Sequence, residues 1–94
     1  ALVQFGYTKG LTIRGNSILG TGKNTVGLYV WGKSRYNDQP GEDVLISGNR
    51  IVVAKDAISL NGAKNIRISG NLLKAPTQLL QRRTEDVVTD TQDD

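Results

Sequence analysis

A seven-residue pattern that returns three times constrains this chain more than any other feature of it. Gly10-Leu11-Thr12-Ile13-Arg14-Gly15-Asn16, Asp43-Val44-Leu45-Ile46-Ser47-Gly48-Asn49 and Asn65-Ile66-Arg67-Ile68-Ser69-Gly70-Asn71 share an apolar residue, any residue, Ile, a polar residue, Gly and Asn. A second element precedes each one: Ala1-Leu2-Val3-Gln4-Phe5-Gly6, Gly27-Leu28-Tyr29-Val30-Trp31-Gly32 and Ala57-Ile58-Ser59-Leu60-Asn61-Gly62. Set in register, these landmarks divide the 94 residues into units 1–26, 27–56 and 57–78, with a degraded fourth from 79. Self-similarity at such a period is the mark of stacked repeats.

Both landmarks alternate with period two, which reads as short strands. Leu11 and Ile13, Val44 and Ile46, and Ile66 and Ile68 face inward in this reading. Thr12 and Arg14, Leu45 and Ser47, and Arg67 and Ser69 face outward, with Leu45 the exception to their polarity. A third apolar stretch follows every Gly-Asn: Ser17-Ile18-Leu19, Arg50-Ile51-Val52-Val53 and Leu72-Leu73-Lys74-Ala75. Three strands per roughly 22 residues make one rung of a solenoid. Gly-Asn between apolar runs also marks antiparallel hairpins; a meander of hairpins, however, needs no such period. Parallel stacking of equivalent strands is therefore predicted, and antiparallel pairing of residues 44–47 with 50–53 would refute it. In a parallel stack Asn16, Asn49 and Asn71 form a structural ladder at a sharp bend, each amide bonding the next.

Ala57-Ile58-Ser59-Leu60-Asn61-Gly62, a short spacer, the Asn65 to Asn71 element and a short apolar strand resemble the right-handed parallel β-helix of the pectate-lyase-like superfamily. That superfamily includes polysaccharide lyases, polygalacturonases, alginate C5-epimerases and phage tailspikes. Residues 57–75 match best, 1–19 well and 27–53 around an inserted loop; everything after Pro76 departs. The resemblance implies an all-β, right-handed parallel β-helix of three rungs and a partial fourth. It also implies a segment of a longer β-helix, because family members are several times longer. The expected function is binding or processing of an acidic polysaccharide, polyuronate for preference, in an extracellular, periplasmic or virion-surface setting. One alternative is a tailspike or adhesin shaft that binds glycan without catalysis in this segment; another is a purely structural stretch of coil.

Family members commonly bind along the first sheet and its flanking loops. Matching that sheet to residues 27–32 puts Leu28 and Val30 inside, and Tyr29 and Trp31 outside. Stacked rungs then place Val3, Tyr29 and Ser59 in one exposed row and Phe5, Trp31 and Asn61 in the next, with Gln4 inside. Adjacent aromatic faces suit the C–H face of a pyranose, so Tyr29, Trp31 and Asn61 are candidate carbohydrate contacts. The inserted loop Lys33-Ser34-Arg35-Tyr36-Asn37-Asp38-Gln39-Pro40-Gly41-Glu42 adds Lys33, Arg35 and Tyr36, the two cations being suited to uronate carboxylates. The reading of the same stretch as a solvated turn closed by Pro40-Gly41 stands beside it.

With no Cys and no His, the chain supplies neither a thiolate or imidazole metal site nor a Ser/His or Cys/His nucleophile. No metal or cofactor is expected. Hydrolysis requires two carboxyls flanking one bond, and Asp38, Glu42, Asp43 and Asp56 are the ones available outside the C-terminal segment; no catalytic residue is assigned. A lyase base among Tyr29, Lys33, Arg35 and Tyr36 is compatible with the composition. Residues 1–83 carry all 12 Lys and Arg but only 4 of the 9 acidic groups, a surplus of eight positive charges suited to a polyanion. Nucleic acid is not the expected partner, since no recognised binding motif is present. No stretch approaches the roughly 20 apolar residues of a membrane span. Residues 84–94 read as an acidic C-terminal tail or cap. The exposed end rungs are expected to be covered by the remainder of a longer coil or by self-association.

Overall fold

The alternating landmarks become eleven short strands in the computed structural model, which describes residues 1–90. These are β1 Val3–Gly6, β2 Lys9–Arg14, β3 Ser17–Leu19, β4 Leu28–Trp31, β5 Gly41–Ser47, β6 Arg50–Val52, β7 Asp56–Asn61, β8 Ala63–Ser69, β9 Leu72–Lys74, β10 Thr77–Arg82 and β11 Glu85–Thr89. They assemble into three sheets, ordered β1-β4-β7-β10, β2-β5-β8-β11 and β3-β6-β9. Every strand pairing within them is parallel and joins equivalent strands of successive repeats. Residues 44–47 lie in the second sheet and 50–52 in the third, so the hairpin alternative is excluded.

Two insertions make the repeats unequal: the connection 20–27 between β3 and β4 is longer than its equivalent 53–55, and a further loop lies between β4 and β5. Val3 pairs with Leu28, 25 residues on, whereas Leu11 pairs with Val44, 33 residues on. The difference is the eight-residue loop 33–40, which leaves between β4 and β5 and returns the chain to the same register.

Side chains facing inward line up in columns. Val3, Leu28, Ile58 and Leu79 form one, and Leu11, Val44, Ile66 and Val87 another. Ile58, Leu60, Ile66 and Ile68 of the third repeat are wholly buried, each burial contributing about 1.5–3 kcal/mol. Leu45 lies on the outer face with Thr12 and Arg67 and is half-buried there.

Register corrects the expectation for β1. Gly6 pairs with Trp31, and Phe5 with Val30, so Val3 and Phe5 point inward and Gln4 joins Tyr29 and Ser59 outside. A slip of one residue exchanges the two faces of a strand. The observed register buries two apolar side chains and returns an amide to water.

After Pro76, where the sequence pattern fades, β10 and β11 still add a fourth repeat to two of the sheets. Glu85–Thr89, inside the segment read as an acidic tail or cap, pairs with β8. Its last residue is followed by Asp90, whose carboxylate accepts a hydrogen bond from the Gly70 N–H at 2.8 Å. Asp93 and Asp94 lie outside the described residues.

At the bend after the second sheet the three asparagines are linked. The Asn49 carbonyl oxygen accepts from the backbone and side-chain amides of Asn16, at 2.9 and 3.1 Å, and that of Asn71 accepts from both of Asn49, at 2.8 and 3.0 Å. Asn49 and Asn71 also donate to the carbonyls of Ile13 and Ile46, tying each bend to the strand of the preceding repeat. A second column, inside the second sheet, has left-handed backbone: Gly10, Asp43, Asn65 and Asp86, with φ between 51° and 77°. Gly, Asn and Asp tolerate that region best. Asn65 donates its side-chain amide to the Asp43 carboxylate one repeat away.

Candidate functional site

The outer face of the first sheet carries Tyr29 and, one row over, Trp31, Asn61 and Arg82. Asn61 donates its amide to the Tyr29 hydroxyl at 3.3 Å and accepts Nε and Nη2 of Arg83 at 3.1 and 2.8 Å. A polar chain Arg83, Asn61, Tyr29 thus crosses three repeats. Trp31 behaves differently from the open aromatic step expected of it. It is half-buried, its ring covers Gly6, and Tyr7 meets it edge-on with centroids 4.8 Å apart and planes at 78°. Its buried indole N–H has no hydrogen-bond partner among the described residues. Tyr29 and Trp31 are therefore both partly buried, and the Trp31 ring is covered from the first repeat.

The loop 33–40 is a tight hairpin. Lys33 N–H donates to the Gln39 carbonyl at 2.8 Å, and Ser34 and Asn37 form an antiparallel bridge. The Ser34 hydroxyl lies 3.2 Å from that of Tyr7, anchoring the hairpin to the first repeat. Arg35 and Tyr36 occupy its tip. Tyr36 is 83% exposed and Arg35 sits 5.0 Å from its ring centroid, a contact worth about 0.5–1 kcal/mol at such an exposed site.

Between this hairpin and the turns of the third and fourth repeats lies a cleft of about 590 Å³. Lys33, Asp38, Lys64, Arg83 and Glu85 bring charge to its walls, and Ser34 and Thr84 bring hydroxyls. Gly62 forms part of the wall at φ +67°, and a Cβ there would run into the Gly32 carbonyl oxygen. The close approach of these two backbones brings the hairpin base onto the third repeat. Of the six carbohydrate candidates, the structure joins Tyr29 to Asn61, joins Arg35 to Tyr36, and sets Lys33 alone in the cleft.

One row at this edge of the second sheet alternates in charge: Lys9, Glu42, Lys64 and Glu85 stand in register across four repeats. Lys9 Nζ lies 4.0 Å from Glu42 Oε1. Opposite charges facing each other across strands contribute roughly 0.2–1 kcal/mol per pair. The row was readable in the sequence, since each member stands two residues ahead of the aligned Leu11, Val44, Ile66 and Val87. Arg83 carried no such signal, because it follows the point where the repeat fades.

The four carboxyls considered for hydrolysis are dispersed in role. Asp43 accepts from Asn65, Glu42 belongs to the alternating row, Asp56 is buried at the start of β7, and Asp38 faces the cleft. Among the described residues no group of three or more acidic side chains is placed to hold a metal ion. Comparison with protein-family models, curated proteins and solved structures returned no match. The resemblance to the pectate-lyase-like superfamily thus rests on this chain's own repeat.

Proposed function

We propose that this chain is a segment of a right-handed parallel β-helix that binds an acidic polysaccharide, polyuronate for preference, along the edge between its first and second sheets. Right-handedness is supported by the strong bias of parallel strand connections toward that hand. The observation that carries the binding reading is the cleft of about 590 Å³, within the range of ligand sites, with Lys33, Lys64 and Arg83 on its walls. Tyr29 and Asn61 on the adjoining sheet face, and Arg35 and Tyr36 at the hairpin tip, extend the surface along which a chain of sugars would lie. Binding alone is proposed: Asp38 and Glu85 line the same cleft from the hairpin and the fourth repeat, and no catalytic residue is assigned. This fits a glycan-binding shaft of a spike or adhesin as well as the binding portion of a polysaccharide-processing enzyme, in either case outside the cell or on a virion.

Calorimetric titration of polygalacturonate, alginate and a neutral glycan tests the reading. Both polyuronates are expected to bind more tightly than the neutral glycan and to weaken as salt is raised. Equal or absent binding of all three to folded protein would leave a structural segment of coil as the better account.

A further inference from the structure

We propose that the outer face of the third sheet is a docking surface for an anionic lipid bilayer. This side of the coil carries none of the residues assigned above to glycan. Period-two alternation buries Ile18, Ile51 and Leu73 and turns two rows outward, Ser17, Arg50 and Leu72 in one and Leu19, Val52 and Lys74 in the other. Leu19 and Leu72 are 58% and 51% exposed. Leu2, 49% exposed, lies beside the end of β3, close enough that a side chain at Gly20 would meet it. Of the exposed large hydrophobic side chains among the described residues, only Tyr36 and Val88 lie elsewhere.

The same side is basic throughout. Segments 17–27, 50–55 and 72–77, which form β3, β6, β9 and the turns after them, hold Lys23, Arg50, Lys55 and Lys74 and no Asp or Glu. All four cations are exposed, and the next acidic residue, Asp56, is buried. Asp38, Glu42, Asp43, Glu85 and Asp86 gather instead where the first sheet runs into the second, across the coil from the third. Charge alone would suit any polyanion, and the leucines decide between them. A sulfated or carboxylated polymer answers the cations but gives aliphatic side chains nothing to enter. A second copy packed face to face would set cations against cations. The surface of an anionic bilayer supplies both needs, phosphates for the Lys and Arg groups and the acyl boundary for Leu2, Leu19 and Leu72. Because the face is lateral, repeats added at either end of the coil would extend it rather than cover it.

Co-sedimentation of the chain with vesicles of phosphatidylcholine alone, and of phosphatidylcholine and phosphatidylglycerol in equal parts, tests this, with soluble dextran sulfate as the polyanion without an acyl phase. The wild type is expected to bind the anionic vesicles and not the neutral ones. Arg50→Gln with Lys74→Gln should weaken that binding about fivefold for each cation removed. Leu19→Ser with Leu72→Ser should weaken it about tenfold and leave dextran sulfate binding unchanged. Arg67→Gln with Arg82→Gln removes the same charge from the other two sheets and should change vesicle binding little. Circular dichroism confirms that each variant is folded; should a double variant fail, Lys74→Gln and Leu19→Ser singly carry the test. Three results would each overturn lipid docking: no preference for anionic vesicles, vesicle binding indifferent to the leucines, or an equal loss in the Arg67 and Arg82 variant. Polygalacturonate titration of the same proteins reads the glycan site separately, so either assignment can fail without the other.

Discussion

The Trp31 indole ring lies over Gly6, its partner across β1 and β4, in the space a side chain at that position would occupy. A methyl group there displaces the ring and breaks its edge contact with Tyr7. Gly6→Ala is therefore expected to destabilise the protein by about 1–3 kcal/mol, the usual cost of overpacking, and to shift Trp fluorescence to the red. Urea unfolding followed by fluorescence measures both; an unchanged midpoint and emission maximum would mean that the ring has another place to go.

The middle asparagine of the ladder is predicted to matter most. Asn49 is 2% exposed and bonded to repeats on both sides. Removing its side chain takes the acceptor from the backbone N–H of Asn16 and the side-chain donor from the Ile13 carbonyl, and leaves the Asn71 side-chain oxygen with only the backbone N–H of residue 49. Asn49→Ala is expected to cost about 2–4 kcal/mol, since a buried group left unpaired costs about 1–3 kcal/mol. The exposed Asn16→Ala should cost distinctly less. Comparable losses at the two positions, in chemical denaturation, would deny that the ladder's burial sets its strength.

Two glycines separate backbone strain from crowding. Gly48 has φ +65° with open space around it, whereas Gly62 has φ +67° and the Gly32 carbonyl in the way. Gly48→Ala is expected to cost about 1–2 kcal/mol from the left-handed conformation alone, and Gly62→Ala at least about 1–3 kcal/mol more from overpacking. The same melting shift for both would show that the hairpin base yields easily.

Reversing one member of the alternating row should expose its electrostatics. Lys64→Glu places three carboxylates side by side, and a loss of about 1 kcal/mol is expected at low salt. Raising ionic strength should recover much of it. A salt-independent loss would point to packing of the lysine stem instead.

Periodicity carried most of the architecture in the sequence. Each Gly-Asn with its flanking apolar residues announced a bend and two strands, and the ladder followed from stacking like on like. What escaped was whatever depends on register or on departure from the repeat. The face of β1 was misread because Gly6 and Gly32 look equivalent, yet space for an indole ring sets Gly6 opposite Trp31. β10 and β11 were faint because Gln81 and Thr89 take inward columns filled by Val30 and Leu60, and by Ile46 and Ile68, in earlier repeats. At the site, Lys33, Tyr29 and Asn61 were legible as types in a favourable place. Arg83 was not, since nothing local tells that its guanidinium reaches Asn61, 22 residues away.

The alternating row imposes a parity on how a chain of this kind changes length. Excising the third repeat would bring Glu85 beside Glu42, and duplicating any single repeat would likewise set two equal charges side by side. Gain or loss of repeats in pairs leaves the alternation intact. Growth by tandem duplication should therefore favour even steps, with odd steps needing a compensating charge reversal.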